Sequence, residues 1–349
     1  MLDSKRKLRI LQVDTFSTPT AWANTQGLAA AYRRVGELYT YDYRAKVHEV
    51  KAPWSRPDIW GKPKWKELVK EGLTGMRTDL LELASWYKPD LIHLGKCEYL
   101  DGQTVKAIKK KTGAFIVHYY GDFWHEVKPW VAGIGKHADW TLLCHQDAEI
   151  VNRHKDAGCK QIGFWQAGTD LAVYRPCDVS VQDYDVVFLG RPIQNTGLER
   201  STLLQALACL DLNVHVFGGN WQNIDGLRGI QCHPFTDGDG FAWACSRAKV
   251  ALSINANVTM YTSWRRIFNT MASGAFLLVK YFPGIDTVFT NHKHLVWFGD
   301  KAEAVEQVWH YIKNEDKRRE IAAQGCELVR QNHTWDHRVS EILNLLEGA

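Results

Sequence analysis

"YTSWRRIFNTMASGAFLL", Tyr261–Leu278, sets two adjacent arginines behind a Thr-Ser pair, then a helical run that stops at a glycine before a second apolar run. "VALSIN" (Val250–Asn255) precedes it across a loop, and "AFLLVK" (Ala275–Lys280) follows it. Strand, loop, helix and strand in that order form the unit from which parallel sheets are wound. Ile267 and Met271 lie four apart and are expected to face a core, whereas Arg266, Asn269 and Ser273 share another face. Thr262 or Ser263 is placed to cap the helix, and Gly274 to end it. The N-terminus of a helix is already the positive end of its macrodipole, so Arg265 and Arg266 oppose the usual preference for acidic residues there. An anion in front of them resolves the conflict. Free backbone N–H groups beside two planar guanidinium forks suit a pyrophosphate.

Working outward, the same unit recurs along the chain. "LRILQVD" (Leu8–Asp14), "DLIHLG" (Asp90–Gly95), "AFIVHYYGD" (Ala114–Asp122), "WTLLCHQ" (Trp140–Gln146) and "IGFWQAG" (Ile162–Gly168) read as buried strands. Amphipathic stretches such as Lys64–Trp86 and Thr104–Lys111 separate them. After the polar, proline-containing "YRPCDVSVQDYD", a second series runs through "DVVFLG" (Asp185–Gly190), "NVHVFGG" (Asn213–Gly219), "VALSIN", "AFLLVK" and "HLVWFGD" (His294–Asp300). The fold class is therefore α/β, with two doubly wound Rossmann-like domains in tandem. A chain of 349 residues accommodates two such cores.

Composition narrows the function classes. With 45% hydrophobic and 23% charged residues, the chain is neither disordered nor low in complexity. A net charge of +4 suits an anionic ligand without demanding one. No apolar run reaches membrane-spanning length, and the charged start leads directly into a strand, so the expected location is cytoplasmic. The eight cysteines show no C-x-x-C spacing and read as buried free thiols. "TDGDG" (Thr236–Gly240) and "DYD" (Asp183–Asp185) contain D-x-D, a pattern common by chance and, in the first case, typical of turns. No metal site is expected.

"SWRRIFNTMASGAFLL", "GIDTVF", "HKHLVWFGD" and the tail "IAAQGCELVRQNHTWDHRV" together resemble the C-terminal half of the CgeB-like, spore-maturation-type glycosyltransferases. The family's R-x-F-E segment corresponds to Arg266–Asn269, its small-residue segment ends at Gly274, and its T-(W/Y)-x-x-R helix begins at Thr334-Trp335 and reaches Arg338. "VVFLGR" (Val186–Arg191) resembles the phosphate-facing turn of the donor domain, and "QAGTDLAVYRP" (Gln166–Pro176) the crossing between domains. The resemblance implies the GT-B architecture, two Rossmann-like domains facing across a cleft. Residues 1–173 would form the acceptor-side domain, 174–330 the nucleotide-sugar-binding domain, and 331–349 a helix crossing back to the first. It also implies metal-independent transfer of a sugar from a nucleotide-sugar, a UDP-sugar foremost, to an acceptor hydroxyl, with no cofactor. Asn269 stands where many relatives carry a ribose-binding glutamate, and Tyr261 where many retaining relatives carry another.

On that reading, Gly190, Arg191, Arg200, Ser263, Arg265, Arg266 and Asn269 bind the donor and its phosphates, with Arg200 the weakest of the basic candidates because Glu199 adjoins it. Gly219, Trp221 and Phe235 lie where the nucleobase is expected, although both aromatics also suit a core. Asp122 and Asp14, at strand ends of the first domain, are the candidate bases, in that order; His118, inside its strand, reads as core. Gly27 marks the acceptor-side entry. The basic, aromatic run Lys51–Lys70 offers Trp60, Lys62, Lys64 and Trp65 to an acceptor. Hydroxymethylated DNA is the alternative acceptor, because lysines can track phosphates and tryptophan can stack on bases. A packing role for this run is favoured over that one. A different class altogether is a GT-B protein that binds sugar nucleotides without transferring, motivated by Asn269. These motifs leave the acceptor and the oligomeric state unassigned.

Overall fold

The computed structural model describes residues 6–16, 19–51, 63–122, 124–192, 194–224, 227–255 and 265–349. The chain divides into two compact units: Met1–Gln166 together with Arg338–Ala349, and Ala167–His337.

In the first unit, six strands alternate with helices. They are β1 (Leu8–Asp14), α1 (Pro19–Val35), β2 (Gly36–Asp42), α2 (Tyr43–Lys51), α3 (Pro63–Tyr87), β3 (Leu91–Leu94), α4 (Gly102–Thr112), β4 (Phe115–Tyr120), α5 (Pro129–Gly135), β5 (Trp140–Leu143), α6 (Ala148–Asp156) and β6 (Ile162–Phe164). The sheet order is β2-β1-β3-β4-β5-β6, and every pair is parallel. All four residues of β3 are buried, as a strand covered on both faces requires. Local chemistry sets the helix ends: Asp101 accepts from the Thr104 amide at the start of α4, and Gly113, at φ 69°, ends it. One core forms where α2–α5 cover β1, β3 and β4, joining Val13, Leu80, Ile92 and Ile116. Residues of the C-terminal segment return to this unit, where Trp165 Nε1 donates to the Arg338 carbonyl at 3.2 Å.

The second unit repeats the scheme with β7 (Tyr184–Leu189), α7 (Gln194–Ala208), β8 (Val214–Phe217), β9 (Ile230–His233), α8 (Asp239–Ser246), β10 (Ala248–Ser253), α9 (Arg265–Ala272), β11 (Leu277–Lys280), β12 (Val296–Phe298), α10 (Lys301–Lys313) and α11 (Glu315–Asn332). The final helix, α12 (Trp335–Glu347), starts in this unit and continues in the first. The sheet order is β12-β11-β10-β7-β8-β9, again all parallel. Its core unites Val186, Phe188, Val216, Leu252 and Leu278 with Leu204 of α7 and Val308 of α10.

Both sheets expected from the sequence are therefore present, each with one strand the sequence reading did not find, β2 and β9. No helix among the described residues is long and apolar enough to cross a membrane.

Strand order locates the ligand-binding ends. In the first sheet the winding direction reverses between β1 and β3, and in the second between β7 and β10. Loops leaving such a pair run to opposite sides and open a crevice at the carboxyl ends of the strands.

Candidate functional site

In the second unit the crevice is bounded by Gly190, directly after β7, and by the start of α9, which follows β10. The Gly190 loop is pinned from two sides: its N–H donates to the Phe217 carbonyl at 2.9 Å, and its own carbonyl accepts from Trp221 Nε1 at 2.7 Å. A Cβ on Gly218 would stand 2.2 Å from that carbonyl, so only glycine lets the β8 loop come this close. Arg266 closes the other side. A Cβ at position 190 would lie 3.1 Å from its Nη2, and the guanidinium sits 5.9 Å from the centre of the Phe188 ring.

Three arginines converge here with unequal partners. Arg265 pairs with Asp237 at 2.7 Å, and Asp237 also accepts from the Tyr174 hydroxyl at 2.6 Å. Arg200 is 1% exposed and donates to the carbonyls of Arg191 and Ile254, each at 2.6 Å. That differs from its expected role: Arg200 braces the two loops that flank the crevice by bonding to their carbonyls. Arg191 itself is exposed at the loop's tip. Arg266 has no ion pair among the described residues. Burial, and then the positive charges of Arg200 and Arg265, push its guanidinium down to about 10. A cation held against other cations without a carboxylate creates a local field that an anion relieves.

The remaining donor-side residues divide. Ile267 and Met271 face the core as expected, and Gly274 ends α9 at φ 73°. Asn269 is 2% exposed, and its Oδ1 accepts from the Thr169 hydroxyl at 2.9 Å. The amide is thus an internal strut joining α9 to the Thr169 segment, a correction to the expected ribose contact. Trp221 is fully buried and cannot offer a stacking face, since its indole is engaged on Gly190 and packs edge-on against Phe188. Phe235, just after β9, is 42% exposed, and Gly219 has open space beside it. Ser263 lies outside the described residues, as do Thr262 and Tyr261.

In the first unit the crevice between β1 and β3 carries Asp14. Its carboxylate fills the space over Gly95, where a Cβ would lie 2.5 Å from Asp14 Cγ. Burial raises the Asp14 carboxyl to about 6, against the lowering hydrogen bonds from the Thr15 N–H and the Thr25 side chain; nearby Asp42 adds to the rise. Asp42 also fixes the loop after β1 by accepting from Phe16 N at 2.9 Å. Asp122 stands at the end of β4, paired with Lys96 at 2.5 Å and 41% exposed. His118 is fully buried, its Nε2 3.2 Å from the Lys96 carbonyl. Gly27 is buried within α1. Trp60 and Lys62 lie outside the described residues; Lys64 and Trp65 begin α3, their side chains outside the description.

The D-x-D pairs are occupied by cations or hydroxyls: Asp183 binds Arg247, Asp185 binds Lys249, and Asp237 binds Arg265 and Tyr174. Among the described residues no group of three or more His, Cys, Asp or Glu could hold a metal ion. Five of the eight cysteines are buried, and all are free. Sequence reasoning missed Gly95, Gly218 and Asp237. The first two carried a signal, a glycine immediately beyond an apolar strand, which marks close approach of backbone or side chain.

Residues 199–344 match the family model described as "Glycosyl transferase-like". No curated protein sequence matches the chain. Among solved structures, it is similar to HepE of Anabaena, in complex with UDP-glucose (TM-score 0.66, 13% identity, 98% of this chain and 100% of that one). It is also similar to sucrose-phosphate synthase of Thermosynechococcus elongatus (TM-score 0.68, 14% identity, 98% and 99%). A glycosyltransferase of Rickettsia africae scores 0.65 at 12% identity, covering 98% of both chains. The fold is the GT-B architecture of glycosyltransferases, with two Rossmann-like units.

Proposed function

We propose that this chain is a nucleotide-sugar-dependent glycosyltransferase whose donor diphosphate binds at Gly190 and the start of α9. The observation that carries the reading is Arg266, a guanidinium with no ion pair among the described residues, set beside a glycine loop and pressed by two further arginines. When the bond between the sugar and the diphosphate breaks, negative charge grows on the leaving phosphate. Arg266 and the backbone N–H groups at the start of α9 stand ready to receive it without reorganising. We assign charge neutralisation to these groups, so transfer is expected to proceed in EDTA.

The first unit supplies the candidate base. Asp14, with its carboxyl raised to about 6, is ionised at neutral pH yet basic enough to take a proton from an acceptor hydroxyl as its oxygen bonds to the sugar carbon. Asp122 is disfavoured because Lys96 already holds it. A UDP-sugar is the expected donor, supported by the neighbour that binds UDP-glucose. The CgeB-like assignment rests on the segments around Arg266 and Thr334-Trp335. Hydroxymethylated DNA stays the alternative acceptor on the Lys51–Lys70 sequence alone, and is tested by sugar transfer to such DNA against unmodified duplex.

The decisive experiment is titration calorimetry with UDP and UDP-glucose. Arg266→Ala is expected to weaken binding about 10- to 100-fold, the loss of a charge-assisted hydrogen bond of roughly 1.5–3 kcal/mol. Arg153→Ala, an exposed arginine paired with Glu149, is the control and leaves affinity unchanged. Equal affinities for the two variants would overturn the assignment. Binding without transfer to any acceptor would favour the non-transferring alternative.

A further inference from the structure

At the opposite end of the second sheet from Gly190 lies a cavity of about 370 Å³. It opens where β7 and β10 begin and is walled by α11. Its floor is apolar, formed by Phe276, Ala322 and Cys326, while Lys249, Arg318, Arg319 and Arg330 surround it and Glu327 is its one acidic lining residue. Two of the cations are internally neutralised, Lys249 by Asp185 at 2.7 Å and Arg319 by Glu315 at 2.5 Å. The other two have no ion pair among the described residues.

Arg318 is the unusual one. From sequence, "NEDKRRE" reads as an exposed segment, yet Arg318 is only 4% exposed. Its guanidinium donates to neutral oxygens alone: the Tyr311 carbonyl at 2.7 Å, the Ile312 carbonyl at 3.3 Å and Gln182 Oε1 at 3.4 Å. Glu315, already paired with Arg319, is the carboxylate that acts on Arg318, and a buried guanidinium with no ion pair of its own is costly unless something charged completes the site. The cavity it lines is large enough for a small metabolite, and arginine forks match the oxygens of a phosphate.

We propose that this cavity is a second ligand site, for a small phosphate monoester whose phosphate sits between Arg318 and Arg330 and whose organic part rests on Phe276 and Ala322. The short side chains of Ala322 and Ala323 keep the room for it. The site shares no residue with the donor crevice and stands whether or not the chain transfers sugar.

The test is calorimetry at fixed ionic strength in an Arg266→Ala background, which disables the guanidinium assigned to the donor diphosphate. The probes are a hexose 6-phosphate, inorganic phosphate and the unphosphorylated hexose. The ester is expected to bind saturably and the free hexose not at all. Arg330→Ala, at an exposed position, is expected to weaken the ester at least tenfold, and Ala323→Phe to abolish its binding by filling the cavity. Unfolding temperatures of both variants in buffer report that the fold is intact. Equal affinity for inorganic phosphate would assign the site to free phosphate and overturn the ester. Absence of phosphate-dependent binding, or binding indifferent to both substitutions, would overturn the site.

Discussion

Trp221 Nε1 and the Gly190 carbonyl stand 2.7 Å apart, so a fully buried tryptophan of the second unit serves as a clamp on the loop that follows β7. The indole has no second polar group. Its position is set by this bond and by the edge-on contact with Phe188.

Trp221→Phe keeps the ring contact and removes the donor, leaving a carbonyl without its partner. The expected loss is about 1–3 kcal/mol of stability, read by urea denaturation. Nucleotide affinity is expected to fall too, because the loop is no longer pinned. A variant with wild-type affinity would show that Gly190 is not part of the donor site.

Asp14→Asn keeps the shape over Gly95 and removes the base. Transfer is expected to fall by about 10²–10⁴-fold while UDP affinity holds. In the wild type, the rate is expected to rise with pH through about 6, where the carboxyl ionises. A rate flat between pH 5 and 7, or an unaffected Asn variant, would remove Asp14 from the chemistry.

Asn269→Ala deletes the acceptor of the Thr169 hydroxyl inside the second unit. Stability is expected to drop by roughly 1–3 kcal/mol, with nucleotide affinity changed far less. A large loss of affinity in a stably folded variant would restore Asn269 as a ligand contact.

Acid sensitivity follows from buried imidazoles. Burial pushes His93 down to about 3 and His118 to about 4, below the ordinary 6.5. Below pH 6.5 the unfolded chain therefore binds more protons than the folded one, and stability is lost as pH falls from 6.5 towards 4. Asp14 acts with the opposite sign: raised from 3.8 to about 6, it makes the folded chain bind more protons across that window, so its own contribution weakens as pH rises. Burial also lowers His145 and His215 to about 4, so the histidines outweigh the one aspartate and leave net acid lability. His118→Phe is expected to flatten the slope of stability against pH by about 1.4 kcal/mol per pH unit. An unchanged slope would mean that His118 is protonated in the folded chain.

What the sequence disclosed depended on how locally each feature is encoded. Central strands such as Leu91–Leu94 and Val186–Leu189 are buried throughout and almost wholly apolar because both faces are covered, and they were legible. β2, "GELYTYD", lies at an edge, has a single buried residue and follows α1 with no intervening loop, so neither composition nor punctuation marked it. β9, "IQCH", has no fully buried residue and was hidden for the same reason. At the site, the charge conflict at Arg265-Arg266 could be read from adjacent residues. The fates of Arg200 and Arg318 could not, since a carbonyl 54 residues away and one seven residues back decide them. For Trp221 the choice between core and nucleobase contact could not be read locally, because its partner, Gly190, lies 31 residues earlier.

The Thr169 backbone bonds on both sides to the far end of its own unit: its N–H donates to the His333 carbonyl at 3.0 Å, and its carbonyl accepts from the Trp335 N–H at 3.2 Å. The chain thus enters and leaves Ala167–His337 at neighbouring points, and along the sequence this unit is an insertion whose two ends meet. Modules with adjoining ends are the ones that tolerate excision, transplantation and circular permutation. Residues 167–337 are therefore a natural cassette for exchange between proteins of this architecture, with the joint to be cut marked by Thr169 and Trp335.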